Sequence, residues 1–342
     1  MSCERKKRVT VSGDAERISL NRVFILLLAL IMLVLCAGCG KKADKKNSGK
    51  DTSAKKTEEP IVEYPAGTVV LSDSTCLNSS DVVQKKTTYI YNSDGQLVQE
   101  VKYARNSETG EYDMSGYRNY VYEGNGRLYS DTEYKLDAKG NVTRTIQSVF
   151  LYDSSDRVSE KYYASVGTSS NSVNESFHYC YTYDPSTGVL LKEERIQEKG
   201  TDVREYKYED GGSLPTDSYY HPASFLGTET HTVYEYDSDG NCVTEILKAL
   251  YNSSQRWEDN EKTERTFDEH GNLTAEIVYY AETGSNQSTV WRSEKTYRYT
   301  YDSLGHLVKS TSKMEQYKTY VTRYVYGDAK DSQELIMPVG FG

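Results

Sequence analysis

The chain has 342 residues, a formal net charge of −10 and a mean hydropathy of −0.73, and it contains 32 tyrosines but only two tryptophans and six prolines. The charge is uneven: residues 1–59 hold 13 basic and seven acidic side chains, a net +6, which leaves −16 for residues 60–342. This acidity argues against nucleic acid or anionic lipid as a partner of the larger part of the chain.

The chain opens with a basic stretch, and an unbroken apolar run from Val23 to Leu35 follows and ends in Cys36-Ala37-Gly38-Cys39. Such a pattern is typical of a secretory signal. The small-small-Cys ending resembles the lipobox of bacterial lipoproteins, although Cys36 stands where that motif usually has Leu. The resemblance implies that residues 1–38 are a lipoprotein signal peptide and that Cys39 is lipidated. The alternative is an uncleaved membrane anchor, because about 17 apolar residues can just span a bilayer.

Residues 39–60 are predicted to form the lipidated Cys and a Lys/Ser-rich linker. Positions 40–59 hold no aromatic or β-branched apolar residue, so this segment cannot bury surface and is expected to be disordered. Its end-to-end distance would be roughly 25 Å. We therefore expect a protein held by lipid at the extracytoplasmic face of the cell membrane, with residues 61–342 as its folded domain.

Residues 61–342 contain every tyrosine and repeat one pattern: an aromatic residue, an acid or amide, two residues, Gly, one residue, then Leu or Val. A period of 25–34 residues indicates a repeat architecture. The acid or amide can cap a turn and Gly supplies a positive φ, so each unit is predicted to be a β-hairpin. The aromatic residues are Tyr91, Tyr122, Tyr152, Tyr183, Tyr208, Tyr236, Phe267 and Tyr301. The turn glycines are Gly95, Gly126, Gly188, Gly212, Gly240, Gly271 and Gly305, and Asp156 takes this place in one unit.

Longer polar segments lie midway between these turns, and Asp137–Asn141 is a short version of them. The sequence thus predicts tight turns along one edge of a sheet and longer loops along the other. Sixteen strands at about 4.8 Å each would span on the order of 75 Å. The predicted fold is all-β: an antiparallel meander of about eight repeated β-hairpins that forms an elongated, curved or coiled sheet.

The core segments YDSDG at 236–240, FDEHG at 267–271 and YDSLG at 301–305 resemble the Tyr-Asp (YD/RHS) repeat of bacterial Rhs and wall-associated proteins and of animal teneurins. The resemblance covers about Tyr89 to Tyr326. It implies hairpins that wind into a spiralling sheet, a surface location, and association with carbohydrate or with an encapsulated toxin. Because no self-cleaving segment is recognisable, we do not expect toxin delivery.

The sequence offers little sign of catalysis. Its five histidines are scattered, and no nucleophile, zinc or phosphate-binding motif is present. Beside Cys39, three cysteines follow the signal; Cys180 and Cys242 could face each other or could simply be small strand residues. We expect no enzymatic activity, no cofactor and no metal site.

The candidate ligand-binding residues are aromatic. Trp257 and Trp291 follow two of the longer loops, 34 residues apart, and Tyr112 has the analogous place in the first unit. They could stack on sugars or anchor a protein partner, or they could pack the sheet as the tyrosines do. The predicted function is non-catalytic binding of a cell-envelope glycan or surface protein. The alternatives are a passive structural or spacer module and, least favoured, a cell-wall hydrolase.

Overall fold

The computed structural model describes residues 60–77, 82–168, 174–224, 227–251, 256–283, 289–314 and 318–332. The predictions for the signal peptide (residues 1–38), for lipidation at Cys39 and for the linker up to residue 59 lie outside these residues. Within the described ranges, no helix is both long enough and apolar enough to cross a membrane.

The described chain contains eighteen β-strands and one short 3₁₀ helix at Ala329–Asp331. Alternate aromatic residues, such as Tyr297, Tyr299 and Tyr301, follow the period of two that puts side chains on one face of a strand. The strands are β1 (Val69–Leu77), β2 (Val83–Tyr91), β3 (Leu97–Arg105), β4 (Tyr112–Tyr122), β5 (Leu128–Leu136), β6 (Val142–Tyr152), β7 (Val158–Gly167), β8 (Glu175–Tyr183), β9 (Leu190–Gln197), β10 (Gly200–Tyr208), β11 (Pro215–His221), β12 (Thr230–Tyr236), β13 (Cys242–Tyr251), β14 (Arg256–Phe267), β15 (Leu273–Thr283), β16 (Thr289–Tyr301), β17 (Leu307–Met314) and β18 (Thr319–Gly327).

The strands form a closed barrel. Each pairs antiparallel with the next, and β1 also pairs with β18, from Val69 opposite Gly327 to Leu77 opposite Tyr320. The all-β antiparallel meander is present, but the prediction of an open, elongated, curved or coiled sheet of about eight hairpins is wrong. The physical reason is that β1 precedes the first recognisable repeat and β18 follows the last turn. Their pairing joins the two ends of the meander and removes both free edges.

The tight turns lie at one edge of the barrel, here called the turn edge. In the turn that starts at Asp237, the Asp237 N–H donates to the Asn241 carbonyl (3.0 Å), and the Gly240 N–H donates to the Asp237 carbonyl (3.2 Å). The Asp237 carboxylate accepts from the N–H groups of Asp239 (3.0 Å) and Asn241 (2.9 Å). This is a type I turn followed by a left-handed glycine. The same side-chain bonds recur in the turns that begin at Asn92, Asp153, Asp268 and Asp302.

The glycine position of these turns is left-handed. In the turn between β10 and β11, the positive φ falls on Gly211 (+75°) and not on the predicted Gly212. Asp156 takes the place of the glycine in one turn and adopts φ +60°. The opposite edge of the barrel is here called the loop edge, and Gly140 has the same role there with φ +81°. At the remaining predicted positions φ lies between +76° and +86°: Gly95, Gly126, Gly188, Gly240, Gly271 and Gly305.

The tyrosine before each turn bridges two hairpins. The Tyr122 hydroxyl donates to the Leu97 carbonyl of the preceding hairpin at 2.8 Å. The ladder between β3 and β4 reaches only as far as Gln99 and Asn119, so the hydroxyl supplies a donor where the ladder has ended. Phe267 takes this place in one unit and has no hydroxyl. Equivalent bonds of 2.6–3.2 Å join Tyr91 to Val70, Tyr152 to Leu128, Tyr183 to Val158, Tyr208 to Leu190, Tyr236 to Pro215, Tyr301 to Leu273 and Tyr326 to Leu307.

The tyrosine-bearing face of the sheet lines the inside of the barrel. On this face, burial strongly raises the pKa of Tyr89, Tyr120 and Tyr181. By contrast, Val121 and Val325, which neighbour tyrosines along their strands but point to the opposite face, are 52% and 48% exposed. Most buried polar side chains also lie on the tyrosine-bearing face, including Ser148, Lys161 and Thr232. A closed barrel crowds its inner face, so the opposite face is the outer one.

The inner face is polar and internally paired. Tyr120 donates to Glu100 at 2.6 Å, and Glu133 pairs with both Arg118 (2.7 Å) and Lys102 (2.9 Å). Buried polar groups of this kind need such partners to offset their loss of water. On the outer face of β2–β4, Ile90, Val101 and Tyr117 form a buried apolar cluster.

The segment before β1 lies along the last turn of the turn edge. The Tyr64 N–H donates to the Asp302 carboxylate (3.1 Å), and the Tyr64 hydroxyl donates to the Tyr324 carbonyl (3.1 Å). Glu63 accepts from the backbone N–H (3.1 Å) and the hydroxyl (2.6 Å) of Ser303. These contacts fix the path of the chain where it enters the barrel.

Candidate binding surface

Three aromatic rings cluster on the outer face near the loop edge, and this cluster is here called the aromatic patch: Tyr219, His231 and Trp257. Tyr219 and His231 lie opposite each other on β11 and β12, and their rings stack with centroids 4.3 Å apart at 6°. The Trp257 ring is nearly perpendicular to both, with centroids 6.5 Å from Tyr219 and 5.8 Å from His231. Because Trp257 is at similar distances from both rings, it lies beside the stack. It is 38% exposed, so the patch presents an indole surface to solvent.

Strand alternation and register hold the patch in place. Asp217 and Tyr219 are two apart on β11 and therefore share the outer face. The Asp217 carboxylate lies 2.6 Å from His231 Nε2. This contact fixes the orientation of the imidazole, and the imidazole in turn supports Tyr219 and Trp257. Contacts within the protein therefore hold the three rings of the patch in place.

A second aromatic site, here called the second platform, consists of Trp291, Tyr279 and Lys262. Lys262 Nζ lies 4.7 Å from the centre of the Tyr279 ring and 5.3 Å from that of the Trp291 ring, both within cation–π range. Lys262 also pairs with Glu264 at 2.7 Å, and the Tyr279 hydroxyl donates to Glu264 at 2.9 Å. The hydrogen bond from Lys262 lowers the pKa of Glu264, so this carboxylate is ionised beside the two rings.

The structure brings two of the three predicted aromatic residues to one region. Trp257 and Trp291 lie on the same face, on β14 and β16. Tyr112 lies on β4, ten strands from β14 in one direction around the barrel and eight in the other. Its hydroxyl donates to the Val83 carbonyl at 3.0 Å, and Lys86 Nζ lies 3.9 Å from its ring centre. Tyr112 is therefore on the far side of the barrel from the aromatic patch.

Sequence reasoning missed Tyr219 and His231. A pattern that could have found them has an acidic residue two positions before a Tyr on one strand. A His on the next strand then lies opposite that Tyr. This pattern occurs a second time: Tyr162 and His178 stack with centroids 4.2 Å apart at 4°, and Glu160 contacts both His178 (2.9 Å) and the Tyr162 hydroxyl (2.7 Å). The pattern can be recognised only when the register between hairpins is known.

The carboxylates of the turns hold their own turns together. Asp237, Asp268 and Asp302 each accept backbone N–H groups from the same turn. Among the described residues, no group of three or more His, Cys, Asp or Glu side chains is arranged to hold a metal ion. Cys180 on β8 and Cys242 on β13 do not form a disulfide with each other. A shallow groove between residues 90–95 and the 3₁₀ helix contains none of the predicted binding residues.

The side chains with the strongest pKa shifts lie on the inner face. Burial raises the pKa of Asp131 to about 6 and lowers the pKa of Lys161 to about 8. Burial also opposes ionisation of Glu133, but hydrogen bonds from Lys102 and Arg118 outweigh it and lower the pKa of Glu133 to about 2. These groups face away from the aromatic patch, so they act on the stability of the barrel.

No protein-family model matches the sequence, and no curated protein matches it. Among solved structures, a porin-like protein from Bacteroides uniformis ATCC 8492 is 12% identical with a TM-score of 0.36, over 75% of this chain and 96% of that one. A porin-like protein from Bacteroides vulgatus ATCC 8482 is 13% identical with a TM-score of 0.26, over 76% and 99%. The Photorhabdus luminescens Tc holotoxin pore is 13% identical with a TM-score of 0.29, over 71% of this chain and 14% of that chain. All three TM-scores lie below 0.5, and these likenesses carry no conclusion about what this chain does.

Proposed function

We propose that this chain is a lipid-anchored extracytoplasmic protein whose barrel binds a cell-envelope glycan, without catalysis, through the aromatic patch. The observation that carries the proposal is Trp257: an indole supported on one side by the Tyr219–His231 stack and open to solvent at 38% exposure. The lipobox-like ending at Cys39 supports the anchor. The resemblance to Tyr-Asp repeats, which implies association with carbohydrate, supports the choice of ligand class.

The chemistry of the patch suits a sugar ring. The C–H face of a pyranose packs on an aromatic face, while its hydroxyls need nearby donors and acceptors. His221, on the same face of β11, and Glu229 can supply such groups. Their side chains lie 3.6 Å apart and are both about half exposed. The charge of −16 on residues 60–342 disfavours a polyanionic ligand.

A binding experiment with matched variants tests the glycan proposal. The purified full-length chain, held in detergent, is titrated with cell-wall polysaccharide and screened on a glycan array. We expect Trp257→Ala to weaken binding at least tenfold, because it removes the exposed ring. Tyr129→Ala, which removes a tyrosine 41% exposed at the turn-edge end of β5, is the control and is expected to bind as the wild type does. Circular dichroism confirms that both variants are folded.

Three results would contradict the proposal. Equal binding by Trp257→Ala and the wild type would exclude the patch as the site. No binding to any glycan would favour the spacer module. Release of reducing ends from cell-wall polysaccharide by the wild type would contradict the non-catalytic part and favour the hydrolase.

The anchor is tested separately. Cells that express the full-length chain are labelled with a radioactive fatty acid. We expect label on the wild type and none on Cys39→Ala. Label on both would place the lipid elsewhere, and label on neither would favour the uncleaved membrane anchor.

A further inference from the structure

The two tryptophans near the loop edge are separated by a distance that the register defines. Lys262 on β14 lies opposite Tyr279 on β15, and Tyr279 lies opposite Ser293 on β16. Trp257 is five residues from Lys262 toward the loop edge, and Trp291 is two residues from Ser293 in the same direction. A bulge in β14 between Asp259 and Glu261 makes Trp257 only four ladder steps from Lys262 and keeps both side chains on one face. The tryptophans thus differ by two steps along the strands and by two strands across them. At about 3.3 Å per step and about 4.8 Å per strand, their Cα atoms are roughly 12 Å apart.

The surface between the two tryptophans has a small side chain and polar groups. Ala281 on β15 lies opposite Trp291 and presents only a methyl group. Asp259 on β14 accepts a hydrogen bond from the Thr289 hydroxyl at 3.4 Å. A ligand that lies across β15 from one tryptophan to the other therefore meets a small side chain and polar groups along its path.

Building on the proposed function, we infer that the ligand is an extended, uncharged polysaccharide chain that covers both the aromatic patch and the second platform. One sugar ring is no wider than one aromatic side chain, so it covers Trp257 or Trp291 but not both. Linked platforms raise affinity because the second contact becomes intramolecular once the first has formed. Asp217, Asp259 and Glu264 line this surface, and they repel a polyanionic chain.

Chain-length dependence tests the inference. The full-length chain is titrated with uncharged oligosaccharides of one to eight sugars from chitin, cellulose and β-glucan. We expect affinity to rise at least tenfold between two and six sugars for at least one series. Trp291→Ala is expected to remove most of that rise and to change binding of the shortest fragments less than twofold, whereas Trp257→Ala weakens binding at every length.

Two further variants separate binding from folding. Trp291→Phe keeps a ring at the second platform and is expected to keep most of the length dependence. Tyr112→Ala removes the analogous aromatic on the far side of the barrel and is expected to change nothing.

The inference can fail while the proposed function survives. Affinity that does not rise with length, or a Trp291→Ala variant that weakens short and long fragments equally, would overturn it. Absence of binding to all uncharged oligosaccharides, with Trp257-dependent binding to a charged or branched glycan on the array, would also overturn it. If Trp257→Ala has no effect on any glycan, the proposed function itself fails.

Discussion

Glu133 makes the stability of the polar inner face depend on pH. It lies between Lys102 and Arg118 with its side chain 14% exposed, and its pKa is lowered to about 2. A lowered carboxyl pKa means that the ionised form is favoured by folding. Its stabilisation is therefore present above the ordinary value near 4.5 and is lost as the pH falls toward 2.

We predict that Glu133→Gln lowers the free energy of unfolding by about 2 kcal/mol at pH 7, because it leaves two cations on the inner face without their shared partner. The difference from the wild type should shrink below about pH 4. Thermal unfolding at pH 7, 4 and 3 measures it. Glu269→Gln, at a turn side chain 89% exposed, is the control, and an equal loss in this variant would contradict the argument.

The tyrosine hydroxyls before the turns allow a paired gain-and-loss experiment. We predict that Tyr122→Phe costs about 1 kcal/mol, because the Leu97 carbonyl loses its donor. Phe267→Tyr should gain up to about 1 kcal/mol, because Cys242 begins β13 as Leu97 begins β3 and presents the equivalent carbonyl. Urea unfolding measures both changes. A neutral Tyr122→Phe would show that these bonds do not join the hairpins.

At the scale of the element, the turn is defined by two residues, an acid or amide and a glycine. Gly240 has φ +84°, a conformation that residues other than Gly adopt with strain, whereas Gly124, in the turn between β4 and β5, has no positive φ and open space around it. We predict that Gly240→Ala lowers the free energy of unfolding by about 1–2 kcal/mol and that Gly124→Ala is neutral or slightly stabilising. Chemical denaturation of both variants checks this. Equal effects would mean that backbone conformation does not limit the turn.

Much of each hairpin could be predicted from the sequence because its determinants are local. Asp237 and Gly240 act within five consecutive residues, and the alternation of Tyr297, Tyr299 and Tyr301 already states which side chains share a face. The repeat spacing selects Gly212 as the left-handed residue, but the turn from Glu209 to Gly212 has its positive φ at its third residue, Gly211, as in a type II turn.

The aromatic patch could not be predicted because its determinants are not local. Tyr219, His231 and Trp257 come from three successive hairpins, and their meeting depends on pairing between hairpins. That register follows from many backbone hydrogen bonds and packed side chains together, and no short motif encodes it. The sequence identified the exposed indole but not the two rings that support it.

At the scale of the whole molecule, the decisive contact is the one between β1 and β18. The Thr75 and Thr322 hydroxyls meet at 2.9 Å across this pair, although the residues are 247 apart in sequence. Hairpin patterns did not predict it because β1 lacks the aromatic-acid-Gly signature of the repeats. In an open sheet these two strands would lie at opposite ends.

We predict that Thr75→Cys/Thr322→Cys forms a disulfide under mild oxidation, because only a closed barrel brings these positions within bonding distance. Mass spectrometry of the cross-linked peptide detects it, and the cross-link should raise stability by roughly 2–4 kcal/mol by restricting the unfolded chain. The pair Thr75→Cys/Thr232→Cys, with its second position on β12, should not cross-link. Cross-linking of both pairs, or of neither, would contradict the closure.

The path of the segment before β1 determines which rim of the barrel the N-terminal part of the chain joins. Glu63 and Tyr64 bind the last turn, so a tether that runs back toward Cys39 leaves from the turn edge. From Phe267 back to Trp257, β14 extends ten residues, about 33 Å, toward the opposite rim. With Cys39 in the lipid as proposed, the tether joins the barrel at the rim opposite the aromatic patch. The rim that carries Trp257 is then the one left free to contact a wall polymer.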